Sequence, residues 1–228
     1  MRSKRKLLAT AGICLVLAVI AVLVLSRAGV IPALIPGRQT RVSLIPNPRT
    51  TPDRIVNGAK GEVLRGVRYD AAYRAIPYPN GDVPSDRGAC TEVIIRALRA
   101  AGFDLQQLIH EDMVSDFSAY PNLWGLRAPD SNIDHRRVPN HLAFMCRRGQ
   151  VLPRSTAGAS AAAWQPGDLV YWRLPISGAT HCGVVSNDRG RSGLPLVLHN
   201  IGPAATQEDC LDRWEIIGHF RYPPQRSA

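Results

Sequence analysis

The chain of 228 residues is long enough for one well-packed domain with a terminal tail. A hydrophobic content of 45% and the lack of a low-complexity tract exclude an intrinsically disordered chain. The formal net charge of +10 comes from scattered Lys and Arg residues without a nucleic-acid reader motif, so the expected partner is an anionic surface such as phospholipid or a cell-wall polymer, and not nucleic acid.

The first predicted element is an apolar segment at residues 7–25, LLATAGICLVLAVIAVLVL, which follows the basic start MRSKRK. Its length matches the roughly 20 residues that span a bilayer. Positive charge before the segment predicts an amino terminus in the cytoplasm. Residues 1–27 are therefore expected to form an uncleaved single-pass anchor in the inner (cytoplasmic) membrane, with the body of the protein in the periplasm. The alternative is secretion after signal cleavage behind Ala28, although Arg27 makes a poor cleavage site.

Residues 28–53 contain several prolines and no periodicity, which predicts an extended linker. Residues 54–228 are predicted to form one α+β domain in which helices precede a small antiparallel sheet. The predicted helices span residues 54–75 with a break near Gly66, Cys90 to Gly102, Asp104 to before Pro121, and a shorter segment from Pro139. The predicted strands are Asp168 to Trp172, His181 to Ser186, Leu194 to Ile201, and a final one from Trp214.

Cys90 opens the second predicted helix, on the same face as Val93, Ile94 and Ala97. The positive end of the helix dipole and the unpaired N–H groups of the first turn stabilise a thiolate over a thiol. Because the thiolate is the nucleophile of cysteine hydrolases, Cys90 is a candidate nucleophile. The alternative is a small, unreactive cysteine in the core.

Two histidines complete a candidate site. A cysteine nucleophile needs a base within hydrogen-bond reach and a polar group that orients the base. His181 opens one predicted strand and His199 ends the next one, which makes them candidates for the base and its orienting partner. A single histidine on an apolar strand is more often structural, but the two together, downstream of a helix-start cysteine, favour a catalytic site.

The segments around these candidate residues resemble those of known protein families. Tyr78, GACTEV, WQPGDLVYW, THCGVVS and LVLHN resemble the NlpC-type branch of the papain-like fold, bacterial cysteine peptidases and amidases that cut cell-wall peptides. More closely, YPNGD, ACTEVIIRALRAAGFDLQ, HEDM, YPNLWGL, NIDHRRVPN and HNIG resemble a bacterial family known as domain of unknown function 1287. That similarity covers the chain from about Tyr73 to Tyr222.

The resemblance implies a papain-like fold with Cys90 as nucleophile, His181 as general base and acid, and His199 as the orienting residue. Asn200 is the alternative orienting residue. Tyr78 and the backbone N–H of Cys90 are the implied donors to the oxyanion. No cofactor is implied.

The segment NIDHRRVPN contains Asp134, Arg136 and Arg137, and two interpretations of it stay open. Paired guanidinium groups hold carboxylates well, so these residues are candidates for binding an anionic substrate group. Alternatively, Asp134 pairs with an arginine and fixes the loop. The sequence has no metal-ligand motif, so no metal site is expected.

The resulting hypothesis is a membrane-anchored extracytoplasmic cysteine hydrolase that cuts an amide bond in peptidoglycan peptides. The alternative is a catalytically weak papain-like domain that binds wall peptides or a partner protein, because residue identity alone does not decide activity. The oligomeric state, the disulfide pairing and the bond cut stay open.

Overall fold

The computed structural model describes residues 42–224. Within them, four α-helices come before most strands of the sheet in the chain. They are α1 (Thr51–Leu64), α2 (Cys90–Ala100), α3 (Leu105–Ser115) and α4 (Val138–Arg148). Side chains of the preceding residues cap two of them: the Thr50 hydroxyl accepts from the Asp53 N–H, and the Asp104 carboxylate accepts from the Gln106 N–H. Each cap satisfies a backbone donor that the first helical turn leaves unpaired.

The first helix differs from the prediction at both ends. It begins at Thr51, inside the predicted linker, and it ends at Leu64 instead of continuing to residue 75. Gly66 adopts a φ of 62°, the left-handed conformation that ends helices. Beyond it the chain is extended, because the Val67 carbonyl accepts from the Ala205 N–H and the Tyr69 N–H donates to the Pro203 carbonyl.

A six-stranded antiparallel sheet forms the second layer, as predicted for an α+β domain. Its spatial order is β3-β8-β4-β5-β6-β7, and a separate parallel pair joins β1 to β2. The strands are β1 (Arg68–Tyr69), β2 (Arg87–Gly88), β3 (Gln150–Val151), β4 (Leu169–Arg173), β5 (Thr180–Arg189), β6 (Pro195–His199), β7 (Thr206–Glu208) and β8 (Glu215–Arg221). The predicted strands correspond to β4, β5, β6 and β8, whereas β1, β2, β3 and β7 are too short to show a period of two in the sequence.

The sheet has a hydrophobic cluster on each face. One cluster contains Cys90 with the apolar face of α2 and, from the sheet, Cys182, Val184 and Leu198. The other contains Trp172, Val185 and Val197 with residues that follow β7. Alternate residues of β5 and β6 therefore point into different clusters, and α2 packs against β5.

The predicted membrane segment at residues 7–25 lies outside the described residues. Within residues 42–224, no helix combines the length and apolar character needed to cross a bilayer.

Candidate active site

Cys90 is the first residue of α2 and is 7% exposed. The preceding residue, Ala89, has no side-chain cap to offer, so the carboxylate of Glu92 accepts from the Ala89 N–H at 2.5 Å. The other oxygen of Glu92 accepts from the Arg136 guanidinium, also at 2.5 Å. A buried ion pair therefore fixes the helix start at the position of the cysteine.

The surroundings of Cys90 favour its thiolate. A hydrogen bond from the Cys182 thiol is the main cause that holds the pKa of Cys90 well below its usual value; the His181 ring acts in the same direction and burial opposes it. Burial and the neighbouring Cys90 raise the pKa of Cys182 instead. Of the two thiols, Cys90 is therefore the one whose surroundings favour the thiolate.

His181 contacts the second predicted histidine directly. Its Nε2 atom lies 2.9 Å from Nδ1 of His199. Because Nε2 is engaged in this way, the Nδ1 atom of His181 is the nitrogen left to interact with Cys90. The His181 ring therefore contacts His199 on one side and lowers the pKa of Cys90 on the other.

The far side of His199 faces two further polar groups. Its Nε2 atom lies 3.5 Å from the sulfur of Cys210 and 3.9 Å from a carboxylate oxygen of Glu208. Burial, the neighbouring His181 and the charge of Arg213 lower the pKa of His199 well below its usual value, so this ring is neutral.

Two tryptophans enclose the histidine pair. The Trp172 ring stacks on His181 with a centroid distance of 5.5 Å and an interplanar angle of 15°. Trp214 meets His181 and His199 edge-on, at 5.8 Å and 6.1 Å. The indole N–H of Trp172 donates to the Leu211 carbonyl at 3.0 Å, which fixes the stacked ring. The enclosure keeps water from competing for the hydrogen bond between the histidines.

Gly183 permits this close approach. It pairs directly with His199 across β5 and β6. A Cβ atom at Gly183 would lie 2.7 Å from Cγ1 of Val197, 2.9 Å from the Leu198 carbonyl oxygen and 3.1 Å from Cβ of His199. The glycine of THCGVVS thus leaves space for the His199 ring to lean along the strand toward His181.

Asn200, the alternative orienting residue, has another role in the structure. Its amide nitrogen donates to the carbonyls of Val67 and Gly88, each at 3.1 Å, and its oxygen accepts from the Gly202 N–H. The side chain holds the segments around β1 and β2 against the end of β6, and His199 is the residue that meets His181.

Tyr78 does not lie at the cysteine. Its ring packs edge-on against His110 at 4.9 Å, and burial, followed by the charges of Glu111 and Asp104, raises its pKa. Asp104, which accepts from the Asn80 N–H, follows the carboxyl end of α2, and that end lies about 15 Å along the helix from Cys90 at a rise of about 1.5 Å per residue. The structure therefore does not support the implied contact of Tyr78 with an oxyanion.

Tyr69 is the tyrosine near the cysteine. It pairs with Gly88 between β1 and β2 and is 46% exposed. Burial of the hydroxyl, followed by the negative charges of Cys90 and Glu92, raises its pKa, so it stays a neutral donor. No sequence pattern marks this residue, because only the parallel pairing of two-residue strands brings it to the site.

The residues predicted to bind an anionic group are engaged within the protein. Asp134 accepts from Arg137 at 3.0 Å, and Arg136 pairs with Glu92 and also donates to the Ala72 carbonyl. Asp134 is 1% exposed and Arg136 is 9% exposed. The Arg137 guanidinium in addition stacks over the Trp124 ring at 3.9 Å. These contacts correspond to the alternative in which the segment fixes a loop, here against the start of α2.

One group among the described residues has the composition of a metal site. His199, Glu208 and Cys210 each offer a ligand atom, and these atoms lie within 4.8 Å of one another. However, Nη1 of Arg213 lies 2.8 Å from the same Glu208 oxygen that faces His199, and this positive charge opposes a cation. The cysteines Cys90, Cys146, Cys182 and Cys210 are free thiols.

Comparisons with known proteins identify relatives without a known function. A sequence model of the family described as "Domain of unknown function (DUF1287)" matches residues 56–222. The chain is 48% identical over 168 residues to the "Uncharacterized protein YijF" of Escherichia coli (strain K12), an alignment that covers 74% of this chain and 80% of that protein. No solved structure matches the chain significantly.

Proposed function

The chain belongs to the family described as a domain of unknown function (DUF1287), and from this premise we propose that it is a cysteine hydrolase. In this proposal the domain is a papain-like one of the NlpC type, anchored in the inner membrane through residues 7–25 and facing the periplasm. Its substrate is an amide bond in a peptidoglycan peptide.

The observation that carries the proposal is the contact of His181 with His199, together with the effect of His181 on the pKa of Cys90. A nucleophile needs a base, and the base needs a group that holds its ring. The 2.9 Å contact between the two histidines supplies the second requirement. The lowered pKa of Cys90, caused by Cys182 and His181, supports the requirement that the nucleophile has a base.

The proposed reaction has two stages. The Cys90 thiolate attacks the carbonyl carbon of the scissile amide, and the protonated His181 gives its Nδ1 proton to the leaving amine as the C–N bond breaks. This leaves a thioester on Cys90. His181 then takes a proton from water, the resulting hydroxide attacks the thioester carbonyl, and the Cys90 thiolate leaves as the acid product forms.

The oxyanion of each tetrahedral intermediate needs donors. The backbone N–H of Cys90 at the start of α2 is one candidate. Tyr69 takes the place that the sequence assigned to Tyr78, because its hydroxyl stays protonated and lies in the field of Cys90.

A second candidate function is binding of wall peptides with little or no catalysis. The exposure of Cys90 is only 7%, and that of His181 is only 3%. An enzyme with this site must admit the scissile bond to nearly buried groups, whereas a binding protein needs no such access.

Digestion of purified peptidoglycan, followed by mass spectrometry of the soluble fragments, tests the proposal. We expect wild-type protein to release peptide fragments with new amino and carboxyl termini, and Cys90→Ala to release none. Tyr78→Phe is a matched control, which we expect to keep activity, whereas Tyr69→Phe should lower it. Release of the same fragments by Cys90→Ala, or no release by the wild type, would refute a cysteine hydrolase acting on peptidoglycan.

A further inference from the structure

We propose that Glu208, held in place by Arg213, is a positioning residue that fixes the tautomer of His199. This inference rests on the proposed function, because the tautomer matters for a site in which His181 acts as the base. The proposed site then contains a carboxylate and a guanidinium in addition to Cys90, His181 and His199, and no sequence motif marks these two groups.

The strand β7 brings Glu208 to the histidine. In the register of β6 and β7, Thr206 pairs with His199 and Glu208 pairs with Val197, so Glu208 lies on the same face as His199, one diagonal step along. A carboxylate oxygen of Glu208 then faces Nε2 of His199 at 3.9 Å. Glu208 is 2% exposed, so little solvent screens this interaction.

The two neutral tautomers of His199 have opposite consequences. With the proton on Nε2, its Nδ1 is an acceptor and takes a hydrogen bond from Nε2–H of His181. The Nδ1 atom of His181 then has a lone pair that can take the proton of Cys90. With the proton on Nδ1 of His199, His181 must accept at Nε2 and carries its proton on Nδ1, where it cannot act as a base.

The carboxylate selects the first tautomer. A negative charge near Nε2 favours a proton on that nitrogen and disfavours a lone pair there. The thiol of Cys210 favours neither tautomer. Burial raises its pKa, and a protonated sulfur can donate to Nε2 or accept from it.

Arg213 holds the Glu208 carboxylate in place and balances its charge. Its Nη1 atom donates to Glu208 at 2.8 Å, and its Nη2 atom donates to the Asp209 carbonyl at 3.2 Å, which fixes the carboxylate. Its charge also offsets that of Glu208, so the carboxylate orients the neutral ring of His199 without converting it to an imidazolium.

Nitrogen-15 NMR of the histidine rings tests the inference on the full chain in detergent, without any substrate. We expect His199 of the wild type to carry its proton on Nε2, and Glu208→Gln to shift it partly or wholly to Nδ1. Thr206→Val is the matched control, since Thr206 lies on the same strand as Glu208 and is the buried residue paired with His199, and its replacement should leave the tautomer unchanged. An unchanged tautomer in Glu208→Gln would overturn the inference.

Arg213→Gln provides a second test if Glu208→Gln does not fold. Removal of the guanidinium leaves the carboxylate uncompensated, so we expect His199 to show the imidazolium signature near neutral pH. A neutral His199 in this variant would contradict the assigned role of the pair. Tight binding of Zn²⁺ to the wild type, lost in both Glu208→Gln and Cys210→Ala, would also overturn it, by assigning the carboxylate to a metal.

The rate of Cys90 alkylation links the tautomer to the nucleophile. We expect Glu208→Gln to move the pH profile of Cys90 alkylation by iodoacetamide upward by about one unit, a tenfold change in the acid dissociation constant of the thiol, and Glu208→Asp to restore part of the shift. Because neither readout needs turnover, an inactive wild type with the expected tautomer would refute the hydrolase and leave the positioning role standing.

Discussion

Nε2 of His181 lies 2.9 Å from Nδ1 of His199, although the two residues do not pair directly across their strands. The residue opposite His199 is Gly183, two positions beyond His181 on β5. The contact is therefore diagonal, and it depends on the glycine that lies opposite His199. A ring held in this way has one nitrogen for its partner and one for Cys90.

The first prediction compares the two neighbouring candidates for the orienting role. Replacement of His199 with Ala removes the partner of His181, so we expect peptidoglycan hydrolysis to fall by about 10²-fold or more. Replacement of Asn200 with Ala removes its two hydrogen bonds to the carbonyls of Val67 and Gly88, each of which keeps a backbone N–H donor, and we expect this loss to lower the free energy of unfolding by about 1–3 kcal/mol. Kinetics and urea titration of both variants separate the roles; a larger kinetic loss in Asn200→Ala at a temperature where it is folded would reverse the assignment.

The second prediction concerns the thiolate. Because the Cys182 thiol is the main cause of the lowered pKa of Cys90, Cys182→Ala should raise that pKa by about 1–2 units, the equivalent of one hydrogen bond to a charged group. Iodoacetamide labelling across pH measures the shift. Cys146→Ala serves as the control, since that exposed thiol lies outside the site. Identical titrations of Cys90 in the two variants would argue against the Cys182 hydrogen bond, and a wild-type titration near pH 8.5 would favour the binding function.

The third prediction uses the close packing at Gly183. The Cβ atom of Gly183→Ala meets Val197 and the backbone of Leu198 at less than 3.0 Å. We expect a loss of about 1–3 kcal/mol in stability from overpacking, together with weaker alkylation of Cys90 as His199 is displaced. Val197→Ala added to Gly183→Ala removes one of the two clashes and should recover part of the stability. Full stability of the single variant would show that the strands separate without cost.

The fourth prediction is a loss of stability in mild acid. Burial lowers the pKa of His135 to about 3 and that of His141 to about 4, from an ordinary value near 6.5. Between these values the unfolded chain binds protons that the folded chain does not, so acidification from pH 6.5 toward pH 4 favours unfolding. Each histidine contributes about 1.4 kcal/mol per pH unit inside its window.

Urea titrations at pH 7, 6 and 5 measure this slope. His135→Leu removes one titrating group and should reduce the slope, whereas Cys146→Ala should not change it. Equal slopes in the wild type and in His135→Leu would show that His135 is already protonated in the folded protein.

The sequence by itself determined the α+β order of elements, the helix start at Cys90 and the strand positions of His181 and His199. Each of these rests on local chemistry: apolar periodicity, a helix-breaking glycine, and runs of β-branched residues between turns. The segments HNIG and NIDHRRVPN also resemble the domain of unknown function 1287, and this resemblance needs no structure. The family match over residues 56–222 confirms it.

Only the tertiary structure decided which polar side chains meet. The choice of His199 over Asn200 depends on strand register, and a shift of one residue turns every side chain to the other face. Glu92 and Arg136 lie 44 positions apart in the chain, and Glu208 reaches His199 through a three-residue strand. Tyr69 comes near Cys90 through the pairing of two-residue strands, while Tyr78 lies near the far end of the helix. Contacts of this kind are set by long-range packing, which leaves no periodic signal in the residues that make them.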